Sequence, residues 1–417
     1  MYRKLLLDNG IRLVTERIPT LKSVTVGIWV NTGSRDELPP QAGISHFIEH
    51  MFFKGTKSRS AAQISREIDA LGGEMNAFTT RETTTFYVKA LDQELPRALE
   101  LLSDLFHASR FDSKEVEKEK QVVLEEIRMV QDDPEDLVQE LHTGQILGLH
   151  PLGRSILGRE EIIRSLRRQD LLAYIDAHYD PAQIVISIAG NFDQRRLERL
   201  VARYFDKDRR SEAGYINGRR PPEVQAGVLL KKKPLEQVHL CLGLKGIAAG
   251  HKDRYTVYAL NSVLGGSVSS RLFQEVREKR GLAYHIYSFL SGYSDGGTIT
   301  IYAATRPKEV DRIVDVICRE IRRIAAKGVE KKELERAKRH MKGSLMLSLE
   351  SSHSRMSKLA KDEITHGKRT SLEEMLVQID RINQEDVYRV GGQLLASERM
   401  AITGLGPLTP RSLNAYR

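Results

Sequence analysis

Apolar and polar positions follow two rhythms along this chain, and the rhythms take turns. Val24 to Asn31 (Val-Thr-Val-Gly-Ile-Trp-Val-Asn) has the two-residue period of a strand. Thr83 to Ala90 is rich in strand formers, and Gln183 to Ala189 is a short apolar strand. Apolar residues three and four apart predict helices over Ile44 to Phe53, Ala61 to Leu71, Leu95 to His107 and Lys114 to Gln131. Ser45 is a candidate cap for the first of these, and Gly72-Gly73 stops the second.

The order of elements then repeats. Val238 to Leu244 reads as a strand, Tyr255 to Leu264 and Ser270 to Lys279 as helices, and Thr298 to Ala304 as a strand. Lys308 to Lys327 and Lys331 to Leu349 are long helical segments. Some letters repeat too: Phe111 to Lys118 lies against Val329 to Arg336, an offset of 329 − 111 = 218. Ile-Ala-Gly-Asn-Phe (Ile188 to Phe192) resembles Ile-Thr-Gly-Leu-Gly (Ile402 to Gly406). A period this long means two duplicated domains. The expected fold is therefore α+β, each domain a mostly antiparallel sheet with helices packed on one face. The polar stretch 209–226, with Gly214, Gly218 and Pro221-Pro222, is the expected linker between halves 1–208 and 227–417.

Composition narrows the class. The 417 residues exceed one ordinary core, and 40% hydrophobic with 29% charged residues is globular usage. The net charge of +9 comes from basic residues spread among nearly as many acidic ones. The clusters Lys231 to Lys233, Arg209-Arg210 and Arg219-Arg220 fall in or beside the linker, and no nucleic-acid motif accompanies them. No nucleic-acid partner is expected. The first ten residues are far short of a signal peptide's apolar stretch, and no later segment has the apolar length of a membrane span. Cys241 and Cys318 sit singly and form no metal-type pair. These absences set the expectation of a cytoplasmic protein without a membrane partner.

His46-Phe-Ile-Glu49-His50 is the sharpest chemical signal. On a helix, residues i, i+3 and i+4 share one face, so both imidazoles and the carboxylate point the same way. Two imidazoles suit Zn2+, which in hydrolytic sites takes three protein ligands and keeps one open position. The carboxylate between them is placed to act as general base. Phe47 and Ile48 then face the core. Downstream, Glu119 and Glu126 are seven residues apart on one face of a carboxylate-rich helix. By pattern alone that helix is an ordinary solvated surface.

The chain resembles the pitrilysin-like (insulinase-type) metallopeptidases, the inverted zincins. Within them it is similar to short bacterial members akin to the mitochondrial processing peptidase β subunit. The resemblance rests on Gly43 to Thr56, Gly72 to Thr79, Val122 to Ile127, Pro151 to Gly158 and Ser269 to Tyr284, and it spans nearly the whole chain. It implies a zinc endopeptidase with His46 and His50 as ligands, Glu49 as base and Glu126 as third ligand, since 126 − 50 = 76 matches the family's spacing. It also implies a supporting carboxylate at Glu119 and a peptide-pairing strand edge at Asn76 and Ala77. Arg277 and Tyr284 match substrate-contacting residues near the scissile bond. At offset 218, Glu126 maps to Ser344 and the His46 helix to a segment without histidine, so the second half has no counterpart of the metal set. The resemblance further implies a homodimer, or a hetero-oligomer, enclosing a chamber for peptides. The rival expectation is a non-catalytic partner or scaffold subunit of a processing-peptidase-like complex.

Overall fold

The computed structural model describes residues 1–206, 218–396, 400–409, 412, 413 and 416. Most of the expected linker, up to residue 217, lies outside the described residues. The chain forms two compact units. One comprises Met1–Arg128, Arg154–Gly218 and Ser348–Arg369; the other comprises Met129–Gly153, Arg219–Leu347 and Thr370–Arg417. Each unit thus includes a segment from the opposite half of the sequence, an exchange that contiguous halves did not anticipate.

The first unit is built on strands β1 (Tyr2–Leu6), β2 (Arg12–Arg17), β3 (Ser23–Val30), β4 (Glu74–Thr79), β5 (Thr84–Leu91) and β6 (Ile184–Gly190). They lie in the order β1-β2-β6-β3-β5-β4, all pairs antiparallel except β2 with β6. Helices α1 (Ile44–Met51), α2 (Ala61–Ala70), α3 (Leu95–Ala108) and α4 (Ser113–Asp132) fall where the periodicity predicts them. Alternation along β3 and β5 sends Val26, Ile28, Phe86 and Val88 to one face. There they meet Phe47 and Ile48 of α1, Leu99 and Leu102 of α3, and Val123 of α4 in one core.

The opposite face is covered as well, among the described residues by the helix Ser352–His366. Its Met356, Leu359 and Ala360 pack on Val14, Trp29, Tyr87, Val185 and Ala189. Gly27 makes room in the central strand: a Cβ there would lie 2.4 Å from Met356 Sδ. Trp29 Nε1 donates to that sulfur at 3.3 Å. At the rim Glu363 pairs with Lys4 and Arg12, and Glu16 with Arg355 and Arg369.

The second unit repeats this plan. Strands β7 (Gly227–Lys232), β8 (Val238–Lys245), β9 (Ala283–Gly292), β10 (Gly297–Thr305) and β11 (Ala401–Gly406) lie in the order β7-β11-β8-β10-β9. They take the places of β2, β3, β4, β5 and β6, down to the single parallel pair, β7 with β11. The repeated letters at Ile188 and Ile402 therefore sit in equivalent strands. Helices including Arg254–Leu264, Val310–Lys327 and Lys331–Ser348 pack on one face. The other face receives α5 (Pro134–Leu147), whose Leu137 and Val138 meet Cys241 and Tyr302. Its His142 fills the notch over Gly243, where a Cβ would come 2.3 Å from Nε2. The expected helix at Ser270–Lys279 is wound partly as a π-helix over Phe273–Glu278, with Lys279 N–H donating to Gln274 C=O at 2.9 Å.

Candidate metal centre

The spacing of α1 decides its orientation. Ile44, Phe47, Ile48 and Met51 are fully buried at helical intervals, which turns His46, Glu49 and His50 together to the other side. The chain enters α1 through Gly43 at φ +95, a left-handed conformation that favours glycine. The expected cap at Ser45 is not what closes this end. Ser45 is the second residue of the helix, and its hydroxyl pairs with Tyr174 Oη at 3.0 Å. The acceptor is Glu37, whose carboxylate takes the N–H groups of Gly43 (2.8 Å) and Ser45 (2.9 Å).

α4 brings Glu126 to the two imidazoles. Its Oε2 lies 3.5 Å from His46 Nε2 and 3.5 Å from His50 Nε2, and the two nitrogens are 3.3 Å apart. Adjacent Glu125 points to solvent and pairs with Arg128. Among the described residues these three are the group whose ligand atoms all lie within 4.8 Å of one another. The donor set fits a small tetrahedral ion. Zinc–ligand lengths of about 2.1 Å give tetrahedral edges of about 3.4 Å, the spacing found on all three sides.

The surroundings favour a cation at this point. Burial opposes charge on His50, but hydrogen bonds and charges from Glu119 and Glu126 outweigh it and raise its pKa to about 9. Carboxylates so placed stabilise whichever cation sits at the ring nitrogen, proton or metal. His46 goes the other way, to about 4, through burial and the adjacent His50. Its Nδ1 is buried without a hydrogen-bond partner among the described residues, so polar contacts reach this ring at Nε2 and packing holds its other edge. His50 is held more firmly: Nδ1 meets Glu119 Oε1 at 2.9 Å, and Glu119 Oε2 meets Lys54 Nζ at 2.7 Å. Burial raises the pKa of Glu119, but bonds from His50 and Lys54 prevail and leave it lowered.

Glu49 is set apart. Burial raises its pKa, against a hydrogen bond from Thr79 Oγ1 to its Oε2 at 2.6 Å. A carboxylate with raised proton affinity beside a metal donor set is suited to proton transfer. Thr79 reaches it from β4, the outer strand of its sheet. Thr80 N–H closes the β4–β5 hairpin on Thr83 C=O at 2.8 Å. By alternation, the main-chain groups of Ala77 and Thr79 then point away from β5 to the open edge. The Ala77 N–H is taken there by the Asn76 side chain at 2.8 Å.

Arg277 and Tyr284 belong to the second unit. Arg277 leaves the π-helical turn and places its guanidinium 4.4 Å from the Tyr284 ring centre and 4.8 Å from that of Phe273. Tyr284 stands on the outer strand β9 and is 66% exposed. Sequence reasoning assigned no role to Lys54, Thr79 or Glu37. Lys54 and Thr79 lie inside the motifs that carried the resemblance, one turn past His50 and at the end of the Asn76 strand. For Glu37 nothing in the local pattern signals a carboxylate buried against a helix six residues on.

The chain belongs to the insulinase family of metallopeptidases, and this fold and donor set accord with that membership. The model described as Insulinase (Peptidase family M16) matches residues 12–160, and that described as Peptidase M16 inactive domain matches 165–341. A Bacillus subtilis protein named an uncharacterized zinc protease is 43% identical, covering 95% of this chain and 97% of its own length. A Streptomyces coelicolor protein of the same description is 38% identical over 97% of this chain and 90% of its own. Among solved structures, a protease from Helicobacter pylori matches with a TM-score of 0.92 at 23% identity, covering 98% of this chain and 99% of that one. A peptidase M16 inactive domain from Pseudomonas fluorescens matches at 0.90 and 21%, covering 98% of each. These two likenesses concern the fold.

Proposed function

We propose that the chain is a zinc-dependent endopeptidase acting on peptides or unfolded segments. The observation that carries this reading is the triangle of His46 Nε2, His50 Nε2 and Glu126 Oε2, with sides of 3.3–3.5 Å. His46, His50 and Glu126 hold the ion. Zinc, when bound, supplies the Lewis acidity that makes water a nucleophile at neutral pH. Glu49 takes the proton of the attacking water and returns it to the leaving amine. Thr79 keeps the Glu49 carboxylate turned to that water. An extended peptide pairs with the free main-chain groups of Ala77 once Asn76 gives up its hold on that N–H, and main-chain pairing tolerates many sequences. Tyr284 donates to the carbonyl oxygen as charge develops there, with Arg277 beside it.

We further propose that two copies form the working enzyme around a chamber, with Arg277 and Tyr284 of one completing the zinc site of the other. The exposure of Tyr284 accords with that role. Two free, buried cysteines suit a cytoplasmic location, and no helix among the described residues is long and apolar enough to cross a membrane. The test is Glu49→Gln. It should bind one zinc per chain with wild-type affinity and hydrolyse a peptide library at least about a thousandfold more slowly. Retained turnover would refute the assignment.

A further inference from the structure

Four N–H groups at the start of any α-helix lack partners within it, and a two-turn helix has little else to fix its direction. In α1 two of these groups, on Gly43 and Ser45, go to the two oxygens of one side chain, Glu37. Glu37 is 3% exposed, and its loop is itself pinned, because Arg154 Nη1 donates to the Glu37 carbonyl oxygen. The same segment presses on the helix entry from the other side. A Cβ on Gly158 would come 2.2 Å from Ala42 C=O, and one on Gly43 would come 2.7 Å from Leu157 C=O. Arg154 and Gly158 both belong to the Pro151–Gly158 motif, which the hydrolytic site does not otherwise use. Tyr174, through Ser45, closes the remaining side.

We propose that Glu37 is a positioning residue of the metal centre: its carboxylate sets the direction and rotation of α1, and thereby of His46, Glu49 and His50. A buried carboxylate is costly to keep, and burial raises its pKa to about 7 despite both hydrogen bonds. The fold offsets that cost in part by using both oxygens on the helix end, where the dipole also favours negative charge, with the Ser45 hydroxyl and the Arg154 charge adding to it. An angular error of about 10–20° in α1 would spoil a three-ligand site. The device suits this site, since among the described residues His46 Nδ1 has no partner comparable to the Glu119 carboxylate that holds His50 Nδ1.

This inference rests on the reading of His46, His50 and Glu126 as zinc ligands, and the experiment separates the two. Zinc affinity of the full-length wild type, Glu37→Gln and Glu37→Asp is measured by competition with a chromophoric chelator, and the visible spectrum is recorded after cobalt substitution. Glu37→Gln has the same size but presents an amide group to one N–H. It should stay folded by circular dichroism, bind zinc about 10–100-fold more weakly and shift the cobalt bands. Glu37→Asp keeps two acceptors and should recover part of both. Should the Gln variant not fold, the Asp variant carries the test through its own cobalt spectrum and zinc affinity. A folded Gln variant, or failing that a folded Asp variant, with wild-type affinity and spectrum overturns the inference. A wild type that binds no zinc overturns the metal reading and this inference with it.

Discussion

Glu119→Gln tests the centre where the structure is most explicit. Glu119 is 3% exposed and spends both oxygens: Oε1 on His50 Nδ1 at 2.9 Å, Oε2 on Lys54 Nζ at 2.7 Å. Glutamine fills the same volume, so no cavity forms and the change isolates charge. Lys54 is partly exposed and turns to water, so the fold loses little. His50 loses a charged partner that fixes its ring and raises its basicity. Partners of this kind are worth about 10–100-fold in metal affinity, or about 1.4–2.7 kcal/mol. Chelator competition should show that loss, while hydrolysis at saturating zinc falls by less than about tenfold, because Glu49 and Thr79 are untouched. Unchanged zinc affinity with abolished turnover would refute the reasoning. Glu119 would then act in the chemistry itself and not through His50.

Three further outcomes are expected. Mixed dimers of Glu49→Gln and Tyr284→Phe chains should recover part of the activity that each lacks; mixed dimers without recovery would exclude a site shared between copies. Burial holds the His142 imidazole down at about 3, so the unfolded chain takes up a proton below about pH 6.5 that the folded chain refuses. Its contribution is complete above that pH and should decline by about 1.4 kcal/mol per unit as pH falls towards 3. Urea titrations at pH 7 and 5 should show a smaller loss for His142→Gln, and equal losses would count against it. Met356→Ala removes a fully buried side chain from the outer face of the first sheet and should cost about 2–5 kcal/mol. Trp29, the single tryptophan, lies against it and reports the transition by fluorescence; an unmoved midpoint would contradict the packing.

What could be read from the sequence was what local pattern encodes. The run of Ile44, Phe47, Ile48 and Met51 fixes both the existence of α1 and the side on which His46, Glu49 and His50 stand. The 218-residue offset anticipates the duplicated sheet, because duplication preserves strand order along with letters. The choice between Glu125 and Glu126 needed the resemblance, since both suit a helix. Partner choice was illegible. Nothing along Ser352–His366 or α5 says that each covers a sheet from the opposite half, because apolar periodicity marks a buried face and not what buries it. Glu37, Lys54 and Thr79 escaped for the same reason. Each acts through polar contacts made across a loop or between elements, and no periodic signal carries such a contact.

The exchange of Ser352–His366 and α5 bears on how the chain is made. When β6 ends at Gly190, every strand of the first sheet has been synthesised, yet the helix that seals its outer surface ends at His366. Those 366 − 190 = 176 residues take about 10–35 s to translate at about 5–20 residues per second. For that interval Val14, Trp29 and Val185 form an uncovered apolar surface on a nascent chain. A fragment ending near residue 208 would carry that surface permanently, so the first sheet can be dry on both sides only after the chain has been made as far as His366.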